Sequence, residues 1–156
     1  MTERLKLKIA VYAVLIQDDK VLLTRRFGTG WQDGNYSLPA GHLEENETLV
    51  EAVAREAKEE IGVDLDVDSI RLVHTMHRQH RYIDFFFTAD WKGDPQNLEL
   101  DKCDDIRWFA FDSFPNNMVP SVRYGLNATH ANQIFSELPE GYDGTASPSR
   151  VEGTVV

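Results

Sequence analysis

Three carboxylates, Glu56, Glu59 and Glu60, are the residues of this chain whose type and spacing most demand a chemistry. They stand at i, i+3 and i+4, so on a helix they share one face within a turn, where like charges repel and cost a few tenths of a kcal/mol per pair. Two arrangements would account for them. One is a solvated acidic face, eased by Arg55 pairing with Glu59 at i+4. The other is a divalent-cation site, since hard ions such as Mg²⁺ take oxygen ligands and commonly combine one or two carboxylates with substrate phosphates. Spacing alone leaves both open.

The element that must present them is a helix with legible ends. Thr48 followed by Glu51 fits a capping box, which places the helix start near Thr48. Gly62 sits where a left-handed residue would end it, and Val63-Asp64 reads as the entry to a strand. At about 100° per residue, Val50, Val53, Ala54, Ala57 and Ile61 form one apolar stripe, and the three glutamates fall on the neighbouring face.

Residues 41–63 as a whole resemble the Nudix box, Gly-x5-Glu-x7-Arg-Glu-U-x-Glu-Glu-x-Gly-U with U aliphatic. Gly41, Glu47, Arg55, Glu56, Glu59, Glu60 and Gly62 fill its fixed positions, and Ala57 is the one departure, smaller than the usual Leu, Ile or Val. The resemblance favours the cation site. It implies that Glu56, Glu59 and Glu60, with the main-chain carbonyl of Ala40, bind one to three Mg²⁺ or Mn²⁺ ions. It also implies that one of these glutamates, or an acid of the 99–105 loop, takes a proton from water. Arg55 would pair with a box glutamate and orient it, and Glu47 would serve at the loop edge.

Around the box the chain offers substrate-facing candidates. Residues 8–17 and 20–26 are β-prone and flank a turn at Asp18-Asp19, which reads as a hairpin. Val21, Leu23 and Arg25 would face one side and Leu22, Thr24 and Arg26 the other; the resemblance makes Arg25 and Arg26 candidates for substrate phosphate. Residues 27–36, rich in Gly, Asn and Asp, form a loop carrying Trp31 and Tyr36. Tyr36 is expected to anchor it, and Trp31 could stack on a base, a contact of about 1–3 kcal/mol in nucleic-acid systems.

Two strands, residues 65–77 and 81–91, are joined by the basic turn 77–81, which could receive polyphosphate or a base. His74, His77 and His80, spaced by threes, do not suit a zinc site. Another strand covers 106–111, and the resemblance makes Glu99 and Asp104, in the acidic loop before it, candidates for a further ligand or base. Residues 119–138 read as a second long helix burying Val122, Leu126, Ile134, Phe135 and Leu138.

Composition sets the frame. With 156 residues, 42% hydrophobic and 27% charged, the chain reads as one soluble domain, assigned to residues 1–138, followed by a flexible tail at 139–156. The apolar run near the N-terminus is too short for a membrane span of roughly 20 residues and reads as a strand. A single cysteine, Cys103, excludes an intramolecular disulfide and makes a cytoplasmic setting the default. A net charge of −10 argues against a nucleic-acid polymer as partner. Oligomeric state, monomer or homodimer, is left open.

The implied fold is an α/β/α sandwich with a mixed sheet between helices. The implied activity is metal-dependent hydrolysis of a diphosphate linkage in a nucleoside diphosphate derivative. A nucleoside triphosphate pyrophosphohydrolase ranks first, including one that cleanses oxidised nucleotides such as 8-oxo-dGTP; an ADP-ribose or dinucleotide pyrophosphatase ranks second. A non-catalytic nucleotide-binding or regulatory protein of the same fold, and a diphosphate isomerase, are the alternatives of other classes.

Overall fold

The structure, a computed structural model, describes residues 2–142. In chain order the strands and helices are β1 (Lys8–Ala13), β2 (Ile16–Gln17), β3 (Lys20–Arg26), β4 (Tyr36–Ser37), β5 (Ala40–His42), α1 (Leu49–Ile61), β6 (Asp64–Leu65), β7 (Arg71–Arg78), β8 (Tyr82–Thr88), β9 (Trp91–Lys92), β10 (Cys103–Ala110), α2 (Pro120–His130) and β11 (Phe135–Leu138). A mixed five-stranded sheet runs β11-β7-β8-β1-β5. In a second sheet β3 pairs antiparallel with β10 on one side and with β2 and β4 on the other.

The side-chain alternation of β1 explains the layers. Ala10, Tyr12 and Val14 enter one buried cluster with Val122 and Leu126 of α2. Val11, Ala13 and Leu15 enter another with Val53, Ala57 and Ile61 of α1. Successive strand residues point to opposite faces, so a strand apolar on both faces must be covered by a helix on each. The α/β/α sandwich expected from the sequence is the fold observed. No helix among the described residues is long and apolar enough to cross a membrane.

Helix α1 begins and ends as expected. Thr48 and Glu51 form the full capping box, and Gly62 adopts the left-handed conformation at φ 72°. Its deepest side chains are Ala52, Val53, Ala57 and Ile61; Val50 and Ala54 lie at the margin of the stripe.

Two expectations are corrected. The hairpin around Asp18-Asp19 exists, with both residues at positive φ, but it joins β3 only to the two residues of β2. β1 departs to the other sheet, pairing parallel with β8 and antiparallel with β5, because its two apolar faces need cover that a hairpin cannot give. The second long helix stops at His130. Asn132 takes positive φ, and residues 135–138 then form β11, parallel to β7. Ile134 and Phe135, assigned to a helix core, are 72% and 41% exposed. The burial of Ser136 and Leu138 with Phe135 and Glu137 outward is strand alternation, which apolar counting at helical spacing overlooks. Of the tail expected to be flexible, residues 143–156 lie outside the described residues.

Candidate active site

Strand β5 and helix α1 bring the box together. β5 lies at the edge of its sheet, and register decides which of its backbone groups point outward. The Ala13 amide donates to the Pro39 carbonyl and the Leu43 amide to that of Ile9, so the hydrogen-bonded positions facing β1 are Pro39, which only accepts, Gly41 and Leu43. Ala40 and His42 therefore turn their N–H and C=O groups away from β1. The Ala40 amide donates to Glu60 Oε2 at 3.2 Å, and the His42 carbonyl accepts from Arg55 Nη2 at 3.2 Å. The outward Ala40 carbonyl beside Glu60 is left facing the acidic side of α1.

Arg55 organises the acids. It donates to both oxygens of Glu47 at 3.0 and 2.8 Å, to Glu56 at 2.7 Å, and to Glu59 at 3.4 Å. The i+4 pairing read from the sequence is thus the longest of these contacts, and the bidentate grip is on Glu47. That grip, with the Glu44 amide, holds the Glu47 carboxyl below the usual carboxylate range, and the same bonds raise Arg55 further above its ordinary value. Gly41 leaves room for the site: a Cβ there would run into the Glu56 carboxylate and force that side chain to shift.

Glu56 and Glu60 are pushed in the same direction, to different degrees. Burial pushes the Glu56 carboxyl up, with Arg55 pulling it back. Burial raises Glu60 more strongly, and the charge of Glu56 adds to it. Glu99 contributes repulsion to both. Among the described residues no three His, Cys, Asp or Glu side chains are drawn to a common point at ligand spacing. Arg55 holds Glu56 and the Ala40 amide holds Glu60. Oxygen-only donors, an outward carbonyl and two carboxyls raised by burial and by each other fit a hard divalent cation.

These groups line one side of a cleft of about 860 Å³, in the range of small-molecule sites. Arg25, Arg26 and Trp31 line it too. Arg26 donates to the Trp31 carbonyl at 2.8 Å and to Thr29 Oγ1 at 2.9 Å, and its guanidinium lies 4.9 Å from the centre of the Trp31 ring. Trp31 is half exposed at the mouth. Tyr36 anchors the loop as expected: it is buried against Phe109 and donates to Asp105. Of the two further acids, Glu99 lines the cleft, whereas Asp104 does not and is bound by Arg25 Nε at 2.7 Å. His74 is buried, with its two ring nitrogens against the Gln133 carbonyl and Ser136 Oγ.

Sequence reasoning missed Tyr12, His42 and Tyr82 on the cleft wall, and Asp84 behind it. One signal was available. Asp84 is a lone acid in the apolar run YIDFFFT, and a buried charge requires a partner. The partner is Arg78, from the basic turn already singled out.

Known proteins resemble the chain in sequence and in fold. The NUDIX domain family matches residues 6–128. An 8-oxo-dGTP diphosphatase of Proteus vulgaris is 30% identical over 96 residues, covering 60% of this chain and 86% of the relative. An ADP-ribose pyrophosphatase of Methanocaldococcus jannaschii is 39% identical over 120 residues, covering 74% of this chain and 66% of the relative. In structure, a MutT NUDIX hydrolase from Burkholderia pseudomallei superposes with a TM-score of 0.72 at 25% identity, covering 78% of this chain and 97% of that one. The chain belongs to the NUDIX domain family and is a Nudix hydrolase of the pyrophosphohydrolase kind.

Proposed function

We propose that this hydrolase is a nucleoside triphosphate pyrophosphohydrolase, with oxidised nucleotides such as 8-oxo-dGTP among its candidate substrates. The observation that carries the proposal is one cleft joining the acidic face of α1 and the Ala40 carbonyl to two arginines and an exposed indole. That is the sequence of chemistries a nucleotide presents, from polyphosphate to base. The likeness to an 8-oxo-dGTP diphosphatase along 86% of its length supports it. The likeness to an ADP-ribose pyrophosphatase keeps a second substrate class in view, a nucleoside diphosphate joined to a sugar.

A diphosphate resists hydrolysis because its anionic oxygens repel the attacking hydroxide. Mg²⁺ or Mn²⁺, when bound, supplies the positive charge that neutralises those oxygens and acidifies water. Glu56, Glu59, Glu60 and the Ala40 carbonyl are the groups that would hold it. Arg55 keeps Glu56 aimed while fixing the loop through Glu47. Glu60, buried with a raised proton affinity, and Glu99, which lines the same cleft near enough to repel it, are the candidates to take the proton from water. Arg26 would hold phosphate oxygens or Trp31, and Trp31 would stack on the base. Arg25, neutralised by Asp104, is the weaker phosphate ligand of the two. The retained acids speak against a purely binding protein, which needs no buried, mutually repelling carboxylates.

The test is a panel of canonical and oxidised nucleoside triphosphates, ADP-ribose, dinucleoside polyphosphates and nucleotide sugars, assayed with Mg²⁺ and with Mn²⁺. Triphosphates should give nucleoside monophosphate and pyrophosphate, and Glu59→Gln or Glu60→Gln should lower turnover by orders of magnitude. Turnover of ADP-ribose alone, or undiminished turnover in both variants, would overturn the proposal. A small nucleotide partner rather than a nucleic-acid polymer, and a cytoplasmic setting, are parts of the same proposal.

A further inference from the structure

Arg78 of the cleft wall belongs to a buried ion pair that the hydrolytic chemistry does not use. Arg78 Nε donates to Asp84 Oδ2 at 2.6 Å and Nη2 to Oδ1 at 3.2 Å, with side chains 8% and 1% exposed. The β7–β8 register makes this pairing possible: Met76 lies opposite Asp84 and Arg78 opposite Tyr82, so Arg78 and Asp84 are diagonal neighbours on one face. The guanidinium lies 4.0 Å from the centre of the Tyr82 ring, and the Tyr12 hydroxyl is close enough to feel both charges. Arg78, Tyr82 and Tyr12 all line the cleft, while Asp84 stands behind them.

A guanidinium has five N–H donors in a planar fork. Asp84 takes one edge, Nε with Nη2, and so fixes the plane and direction of the rest. The Tyr12 hydroxyl accepts from Arg78 as well, and Arg78, 8% exposed, lines the cleft, where a ligand would meet the donors that Asp84 and Tyr12 leave. Phosphate is a poor match for them, because Asp84 already balances the charge and the surroundings are aromatic. A neutral, flat ligand with acceptor atoms on its rim is a good match.

Position agrees. Ala10 pairs with His42 on one side and Asp84 on the other, so Asp84 lies two strands across and two residues along from Ala40, about 12 Å at usual sheet spacings. That is the order of separation between the phosphates of a nucleotide and its base.

The geometry points to Arg78 as a nucleobase-reading residue, held in place by Asp84 and stacked on Tyr82, that selects bases carrying two adjacent acceptors. Guanine offers O6 and N7, the pair arginine most often reads in DNA, and cytosine offers O2 and N3. Adenine and uracil place a donor beside each acceptor on the comparable edges. In 8-oxoguanine N7 carries a proton, so that edge presents one acceptor next to a donor. This inference rests on the nucleoside triphosphate substrate proposed above and narrows it to cytosine and unoxidised guanine, which sets 8-oxo-dGTP apart from the favoured substrates.

The experiment measures kcat/KM for CTP, GTP, ATP, UTP and 8-oxo-GTP, together with calorimetric binding of CMP, GMP, AMP and UMP in EDTA. Wild type, Arg78→Lys, and the double variant Arg78→Met with Asp84→Leu are compared. Lysine keeps the charge but loses the fork. The double variant removes both buried charges together and guards against misfolding of a half-broken pair. Wild type should prefer C and G over A, U and 8-oxoguanine by about tenfold to hundredfold, and both variants should lose the preference, mainly through KM. Absence of the preference in wild type, or its survival in both variants, overturns the inference. If no triphosphate is hydrolysed but CMP or GMP binding is selective and weakens in the variants, the substrate proposal fails and base reading by Arg78 stands. If the monophosphates bind without selectivity and no triphosphate is turned over, both fail.

Discussion

Asp84→Ala tests how much of the fold rests on the buried pair behind the cleft. The substitution leaves the Arg78 guanidinium, 8% exposed, without the carboxylate that meets it at 2.6 Å. Removing one partner of a buried pair costs about 3–5 kcal/mol, because the remaining charge stays desolvated and unpaired. In a domain of this size each kcal/mol shifts Tm by about 2–4 °C, so a fall of roughly 6–20 °C is expected. Replacing both partners, Arg78→Met with Asp84→Leu, removes the stranded charge and should restore most of the loss, since apolar replacement of a buried pair is often neutral or stabilising by about 1–4 kcal/mol. Urea unfolding followed by far-UV circular dichroism supplies both values. A single-variant cost below about 1 kcal/mol, or a double variant no more stable than the single, would mean that the pair is solvated in solution and that the energetic reasoning fails.

Other perturbations act on the acidic side. Because burial raises the folded-state Glu60 carboxyl above its unfolded value, metal-free stability due to this group is greatest at low pH and is lost as pH rises through the folded value. Glu60→Gln in EDTA should therefore melt higher relative to wild type as pH rises above about 4.5, and a difference independent of pH would refute the assignment. Gly41→Ala drives a methyl into the Glu56 carboxylate and should lower kcat about a hundredfold with an unchanged circular dichroism spectrum; near-normal kcat would show that Glu56 moves freely. Arg55→Lys forfeits the bidentate hold on Glu47 and should weaken activation by Mg²⁺ about ten- to hundredfold in a metal titration. Trp31→Ala should raise KM about five- to hundredfold with little change in kcat if the indole stacks on the base, and an unchanged KM for every active nucleotide would exclude stacking.

What the sequence disclosed follows from how local each signal is. The ends of α1 were legible because a capping box and a left-handed glycine act within four residues of themselves. The acidic face was legible because helix spacing is a property of α1 alone. The partner of β1 was not, since both of its neighbours, β5 and β8, lie far along the chain and are chosen by which helix covers each face. β11 was hidden for a related reason: Leu138 and Ser136 are buried by pairing with β7, some sixty residues earlier in the chain, and nothing near them announces a strand. The Arg78–Asp84 pair stood between these cases. Its two members were visible as a basic turn and a misplaced acid, but their meeting depends on hairpin register.

The outward-facing groups of β5 have a consequence beyond chemistry. An edge strand with free N–H and C=O groups invites a strand from another molecule and so invites aggregation. Here the Ala40 amide is taken by Glu60 and the His42 carbonyl by Arg55, and β5 is only three residues long. The side chains that shape the acidic site also blunt this edge of the sheet, so variants that strip them should be more prone to self-associate as well as slower, and light scattering on Arg55→Ala would register the first effect independently of the second.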